Sequence, residues 1–271
     1  MRRHRGFTLV ELIMVIVILG VVGGMVAVFM RGPIDAYFAS ARRAGLTDVA
    51  DTSLRRIARD LHKALPNSVR VPGSQCVEFI PTKTGGRYRT QGVGFLDFAT
   101  TSGATSFNEL GDNRVRSAEQ QIAKDDIVVV YNLGITGSDA YAQDNTAVVG
   151  ATPSVAGTPP ETTITIAAKQ FPLASGGNRF HVVPATEQVV GYVCSGGSLL
   201  RYTKTLPAPA PASCPSPAAN TPVLATNVNS CNFDYSGSDL QRNALVRMSL
   251  QLTNSGETVS LQHEVHVNNT P

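Results

Sequence analysis

The sequence has little charge, and no surplus of either sign once its first residues are set aside. Only 16% of the 271 residues are charged, and the formal net charge is +3, from 23 basic against 20 acidic side chains. Arg2, Arg3 and Arg5 account for that excess, so the sequence pI near 8.7 reflects a terminal tag. A balanced body carries no bulk electrostatic footprint for nucleic acid, and no nucleic-acid partner is expected. Catalytic signatures are also missing. There is no G-x-S-x-G elbow, no P-loop and no glycine-rich dinucleotide fingerprint, so neither enzymatic activity nor a cofactor is expected. The 24 glycines and 16 prolines are too few and too irregular for a collagen-like chain, and no fixed-period repeat occurs. What is present excludes disorder. A hydrophobic fraction of 42% over this length supports one large or two modest domains.

Cysteine is sparse but even in number: Cys76, Cys194, Cys214 and Cys231. None forms a CxxC pair and no histidine stands at finger-like spacing, so no metal site is expected. Two disulfides in an oxidising compartment fit better. Three connectivities are possible; Cys194–Cys214, tying down a Pro/Ala-rich stretch, with Cys76–Cys231 is the pairing expected. His263-Glu264-Val265-His266 falls one residue short of H-E-x-x-H, and on a strand its two imidazoles face opposite sides. Asp234 and Asp239 lack an EF-hand pattern and read as a turn.

The N-terminus is the most informative segment. A cationic head, Met1 to Gly6, precedes an apolar run from Phe7 to Met30, and Leu12 through Met30 contains no charge. As a helix that run spans about 36 Å, enough to cross a bilayer core of about 30 Å. Leading arginines hold that end in the cytoplasm, which sends the rest of the chain across the membrane. A cleaved secretory signal would have a shorter core and a small-x-small site, which the following RGPIDAYFASARRAG lacks. A plain signal anchor explains the length but not Glu11, an acid inside the apolar segment that wants a partner. Gly20-x-x-x-Gly24 reads as incidental helix packing.

Gly6-Phe7-Thr8-Leu9-Val10-Glu11, between a basic leader and an unbroken apolar run, resembles the class III signal of type IV pilins and type II secretion pseudopilins. The resemblance implies cleavage after Gly6 by a prepilin peptidase and methylation of the new amino terminus on Phe7. It also implies that Glu11 pairs with the Phe7 amine of a neighbouring subunit and so registers the filament. Charges that would be costly alone in an apolar bundle are tolerable as a pair.

Downstream, Gly32-Pro33 is expected to loosen the helix. Leu46, Ala50, Leu54, Ile57, Leu61 and Leu65 then mark an amphipathic helix, with Asp51–Arg55 and Arg56–Asp60 as i,i+4 pairs and Pro66-Asn67 as its end. Beyond residue 69 the pattern turns to short strands at 76–80, 126–132, 162–167, 179–183, 188–194, 198–204, 223–235, 244–253 and 258–267. The turns 195–197 and 254–257 predict two hairpins, and 134–161 and 206–222 read as loops. The fold expected is α+β, a long N-terminal helix packed on a predominantly antiparallel β head. Its divisions are a leader (1–6), a transmembrane and filament-core helix (7–32), an amphipathic stalk (33–66) and a periplasmic head (67–271).

Arg56-Ile57-Ala58-Arg59-Asp60-Leu61, the strand ending Val193-Cys194, and Leu199-Leu200-Arg201-Tyr202 resemble the large minor pilins of the PilW and pseudopilin J type. The segments 227–235 and 262–269 are most similar to the MshO type of mannose-sensitive haemagglutinin (MSHA) pili. These resemblances imply a minor pilin that initiates or caps a filament, resident first in the bacterial inner membrane with its head in the periplasm. Its partners would be other pilin subunits, the prepilin peptidase and the inner membrane. A ligand-binding tip adhesin or DNA-capture pilin is the alternative, as is a minor pseudopilin. Arg87-Tyr88-Arg89 is the one basic-aromatic cluster that would favour nucleic-acid capture.

Overall fold

The computed structural model describes residues 6–235 and 243–271. The leader arginines and Asp239 therefore lie outside the described residues. One helix, α1 (Leu9–Leu61), precedes an all-antiparallel head. Its early strands are β1 (Arg70–Gly73), β2 (Cys76–Phe79), β3 (Thr84–Arg87), β4 (Ala104–Glu109) and β5 (Ile127–Val130). The next are β6 (Thr146–Val148), β7 (Ser154–Ala156), β8 (Glu161–Lys169), β9 (Arg179–Val183) and β10 (Val189–Ser195). The last are β11 (Ser198–Lys204), β12 (Val223–Thr226), β13 (Val228–Asp234), β14 (Asn243–Asn254) and β15 (Glu257–Asn268).

Helix α1 is continuous through Pro33. The expected loosening is not a break, although Pro33 cannot donate its own i→i−4 hydrogen bond. The predicted stripe is buried as read, from Leu46 through Leu65. The helix nevertheless ends at Leu61 rather than at Pro66. Ala64 bridges Pro81 and Leu65 donates its N–H to the Ile80 carbonyl at 2.8 Å, so the chain has already turned to pair with the sheet. Asp51–Arg55 forms at 2.7 Å, but Arg56–Asp60 does not. Asp60 faces the head instead, accepting from Tyr192 at 2.5 Å and from Arg201 at 3.3 Å.

Sheet one has the order β1-β2-β10-β11-β12 and sheet two the order β13-β14-β15. Leu54, Ile57 and Leu61 of the helix share one core with Val77, Phe79, Val190 and Tyr192 of sheet one and with Val246, Leu250 and Val265 of sheet two. Both predicted hairpins form. Each closes on two residues with positive φ, Gly196-Gly197 (57°, 73°) and Ser255-Gly256 (49°, 81°), which match the strand twist. The run expected over 223–235 is two strands, because Asn227 adopts φ 60° and turns the chain from sheet one into sheet two.

Between β2 and β10 the chain makes a second sheet system. One sheet runs β3-β9-β5-β6 and another β4-β8-β7. Single bridges at Val149↔Ile166 and Tyr88↔Glu109 join them, closing β3-β9-β5-β6-β8-β4 into a six-stranded ring. Phe107, Val128, Val130, Ile164, Ile166, Phe180 and Val182 fill it. The loop expected over 134–161 thus holds β6 and β7, whereas no strand is assigned within 206–222. Strand β5, Ile-Val-Val-Val, is buried on both faces. Val128 and Val130 point into the ring, while Ile127 and Val129 pack with Leu65, Ile80 and Val189 at the junction with sheet one.

Two disulfides form, but not in the expected pairing. The bonds are Cys76–Cys214 and Cys194–Cys231, with Cα separations of 5.6 and 6.4 Å. Register explains the correction. Cys76 pairs with Val193, so Cys194, one residue on, points to the opposite face of sheet one. Cys194 therefore meets Cys231 on the helix side, where sheet two abuts. Cys76 meets the 206–222 loop on the outer side.

Candidate functional site: the N-terminal helix

Thr8 opens α1. Its extended backbone (φ −81°, ψ 152°) and its hydroxyl, which accepts the Glu11 N–H at 3.3 Å, make it the N-cap. Thr8-Leu9-Val10-Glu11 is thus the T-x-x-E pattern of a capping box, a signal that the motif reading passed over. The cap places Glu11 in the first turn, where the helix dipole favours a carboxylate. Gly6 and Phe7 lie just outside the helix, with Phe7 84% exposed and open space around the Gly6 α-carbon.

The head begins far from this turn. The first buried helical residue is Leu46, about 50 Å along the helix from Glu11 at 1.5 Å per residue. Up to that point the apolar side chains stand bare, and the most apolar 18-residue window has a mean hydropathy of 3.0 with none of it buried. An apolar helix of this length fits membrane anchoring, and equally a bundle of like helices. The grip of the head on the helix is firm by contrast. Beyond the buried stripe, Asp60 is held by Tyr192 and Arg201, and Arg43 pairs with Glu257 at the tip of the β14–β15 hairpin at 2.5 Å.

Residues 1–27 match the family model described as the prokaryotic N-terminal methylation motif. The N-terminus is type IV pilin-like. No curated protein and no solved structure matches the chain. The methylation motif therefore leads into an α+β layout in which one long helix carries antiparallel sheets. Gly6, Phe7 and Glu11 all fall within the matched residues.

Elsewhere the structure removes some attractions. Tyr88 is 1% exposed and exchanges hydrogen bonds with Ser175, while Arg89 is taken by Glu161. The Arg87-Tyr88-Arg89 cluster therefore presents no ring on which a base can stack. His263 is half-buried opposite Met248 and His266 is exposed opposite Leu245, so the two imidazoles do not converge. A cleft of about 420 Å³ lies between the end of α1 and the ring, lined by Asp60, Lys63, Lys83, Glu119, Glu187 and Arg201. Two of its cations are already engaged: Arg201 pairs with Asp60 and Glu187, and Lys83 pairs with Asp126.

Proposed function

We propose that this chain is a minor pilin of a type IV pilus, similar to the MshO type. A prepilin peptidase cuts between Gly6 and Phe7, and Phe7 becomes the methylated amino terminus. The chain then waits in the inner membrane with its head in the periplasm, and enters a filament helix-first to initiate or cap it. The observation that carries the reading is the methylation motif leading into a bare apolar helix that projects from the head.

In this reading Glu11 supplies register. Its carboxylate accepts the Phe7 ammonium of a neighbour, and Glu11→Ala leaves that ammonium unpaired at a cost of several kcal/mol before relaxation. The head lies too far away to feel the change. Intact mass of membrane-extracted protein should show loss of residues 1–6 plus one methyl group. The Glu11→Ala chain should be processed normally, keep its head's thermal midpoint and give far fewer pili. A mature terminus beyond Met30, or normal piliation by Glu11→Ala, would overturn the proposal.

A further inference from the structure

We propose that the surface meeting neighbouring pilin subunits is confined to α1 and sheets one and two, and that residues 81–188 are an inserted module dispensable for filament incorporation. This rests on the pilin reading above.

Topology is the first support. Strands β2 and β10 are hydrogen-bonded neighbours, with Phe79 opposite Val190, so the chain leaves sheet one and returns to the adjacent position. Nothing in the ladder requires the intervening segment, and a two-residue turn could join the same strands. Closure is the second. The ring β3-β9-β5-β6-β8-β4 pairs its strands with one another and borrows none from sheet one or two. A closed ring has no open edge to be completed by the rest of the head.

The cores are likewise separate. Every buried apolar residue of α1 belongs to the cluster shared with sheets one and two, and none to the cluster inside the ring. The segment's least exposed acids are answered internally as well, although the more exposed Glu187 is paired by Arg201 of sheet one. Glu109 is paired by Arg116, Asp126 by Lys83 and Glu161 by Arg89, all within 81–188. Among the described residues the two parts meet at an apolar seam, where Ile127, Val129, Tyr141 and Val183 face Leu65, Ile80, Val189 and Leu206. Beside it, Asn132 donates to the Pro66 carbonyl at 2.7 Å, Asn67 to the Asn132 carbonyl at 2.9 Å and Tyr141 to the Ser68 carbonyl at 2.8 Å, and Arg201 pairs with Glu187. That seam lies on the side of the ring facing sheet one, away from the bare length of α1 that a filament would bury.

The test joins Ile80 to Val189 through Asn-Gly, deleting 81–188, with Leu65→Thr and Val189→Thr covering the exposed seam. The shortened chain should be cleaved, methylated and recovered in sheared filaments at the level of the full chain. A folded shortened chain that is processed but absent from filaments overturns the proposal. Should the deletion fail to fold, full-length Phe107→Ala decides. Its cavity inside the ring should raise amide exchange in β4, β5, β8 and β9 by on the order of 100-fold, leaving α1 and β14 protected and piliation unchanged. Equal deprotection of α1 and β14 would show one cooperative unit and refute the inserted module. If the full chain itself is missing from filaments, the pilin reading fails instead, and the exchange pattern still decides whether the ring is a module.

Discussion

Glu78 offers a sharp test of the packing on the outer face of sheet one. Its side chain is fully buried, yet it is held by Arg70, by Lys204 at 2.6 Å and by the Tyr202 hydroxyl at 3.0 Å. Burial pushes the Glu78 carboxyl up, but the hydrogen bonds and charges of Lys204 and Arg70 outweigh it and hold it below its ordinary range. Glu78→Ala leaves two cations without their shared carboxylate. Breaking a buried pair in this way costs about 3–5 kcal/mol. The lower figure applies here, because Lys204 is 32% exposed and turns to water, and Arg70 keeps the Ala208 and Pro209 carbonyls and the Tyr141 ring at 3.5 Å. For a head of this size, a loss of about 3 kcal/mol lowers the melting temperature by roughly 6–12 °C. Thermal unfolding of the full chain in detergent measures it. Because the folded carboxyl is held down, its contribution is complete above the ordinary carboxylate range and disappears as pH falls through the depressed value. A shift under about 1 °C at neutral pH would show that the cluster is not an electrostatic lock.

Three further outcomes follow from the same structure. Non-reducing peptide mapping should recover Cys76–Cys214 and Cys194–Cys231; closing loops of 138 and 37 residues, they contribute at most about 5 and 4 kcal/mol in the chain-entropy model. His181 has a buried Nε2 without a hydrogen-bond partner, and burial, with the charge of Arg179, pushes its imidazole down to about 4. The unfolded chain therefore binds the extra proton first, so stability should fall as pH drops from 6.5 to 4, by up to about 3 kcal/mol, and His181→Gln should flatten that slope in urea titrations. Gly191→Ala should cost about 1–3 kcal/mol by the same titrations, because a Cβ there would stand 2.2 Å from the Tyr202 ring, directly across the ladder.

The parts legible in the sequence were those written in local periodicity. The stripe from Leu46 to Leu65 and the two hairpin turns needed only residue spacing, and both formed. The strands passed over were short and polar or glycine-bearing. Thr-Gly-Gly-Arg of β3 is a strand because the backbone must approach closely: a Cβ on Gly86 would stand 2.2 Å from Glu109 Oε1. The disulfide pairing failed for a related reason. Which face Cys194 takes depends on its register against Cys76, and register belongs to the folded sheet. Helix spacing pairs Asp60 with Arg56, whereas in the folded head Asp60 is held by Tyr192 and Arg201, far away in sequence. At the N-terminus the motif and its geometry coincide, since both lie within a single turn.

The bare half of α1 also limits what kind of molecule this chain can be. Between Phe7 and Phe38, 21 large apolar side chains are exposed, most by about half or more. At roughly 1.5–3 kcal/mol for fully burying each, the unspent apolar surface is worth on the order of 20–30 kcal/mol. That exceeds the roughly 5–15 kcal/mol that holds a typical domain folded. The helix must therefore be surrounded, and lipid tails and neighbouring helices satisfy the apolar term about equally well. Hydrophobicity alone gives the chain no reason to leave one for the other. Glu11 does. Under the pilin reading proposed above, its carboxylate in lipid has only the headgroup edge and the capped first turn of its own helix, whereas in a bundle it would have a neighbour's ammonium. On the proposed reading, one acidic residue in an otherwise uncharged stretch supplies the difference in free energy between membrane and filament.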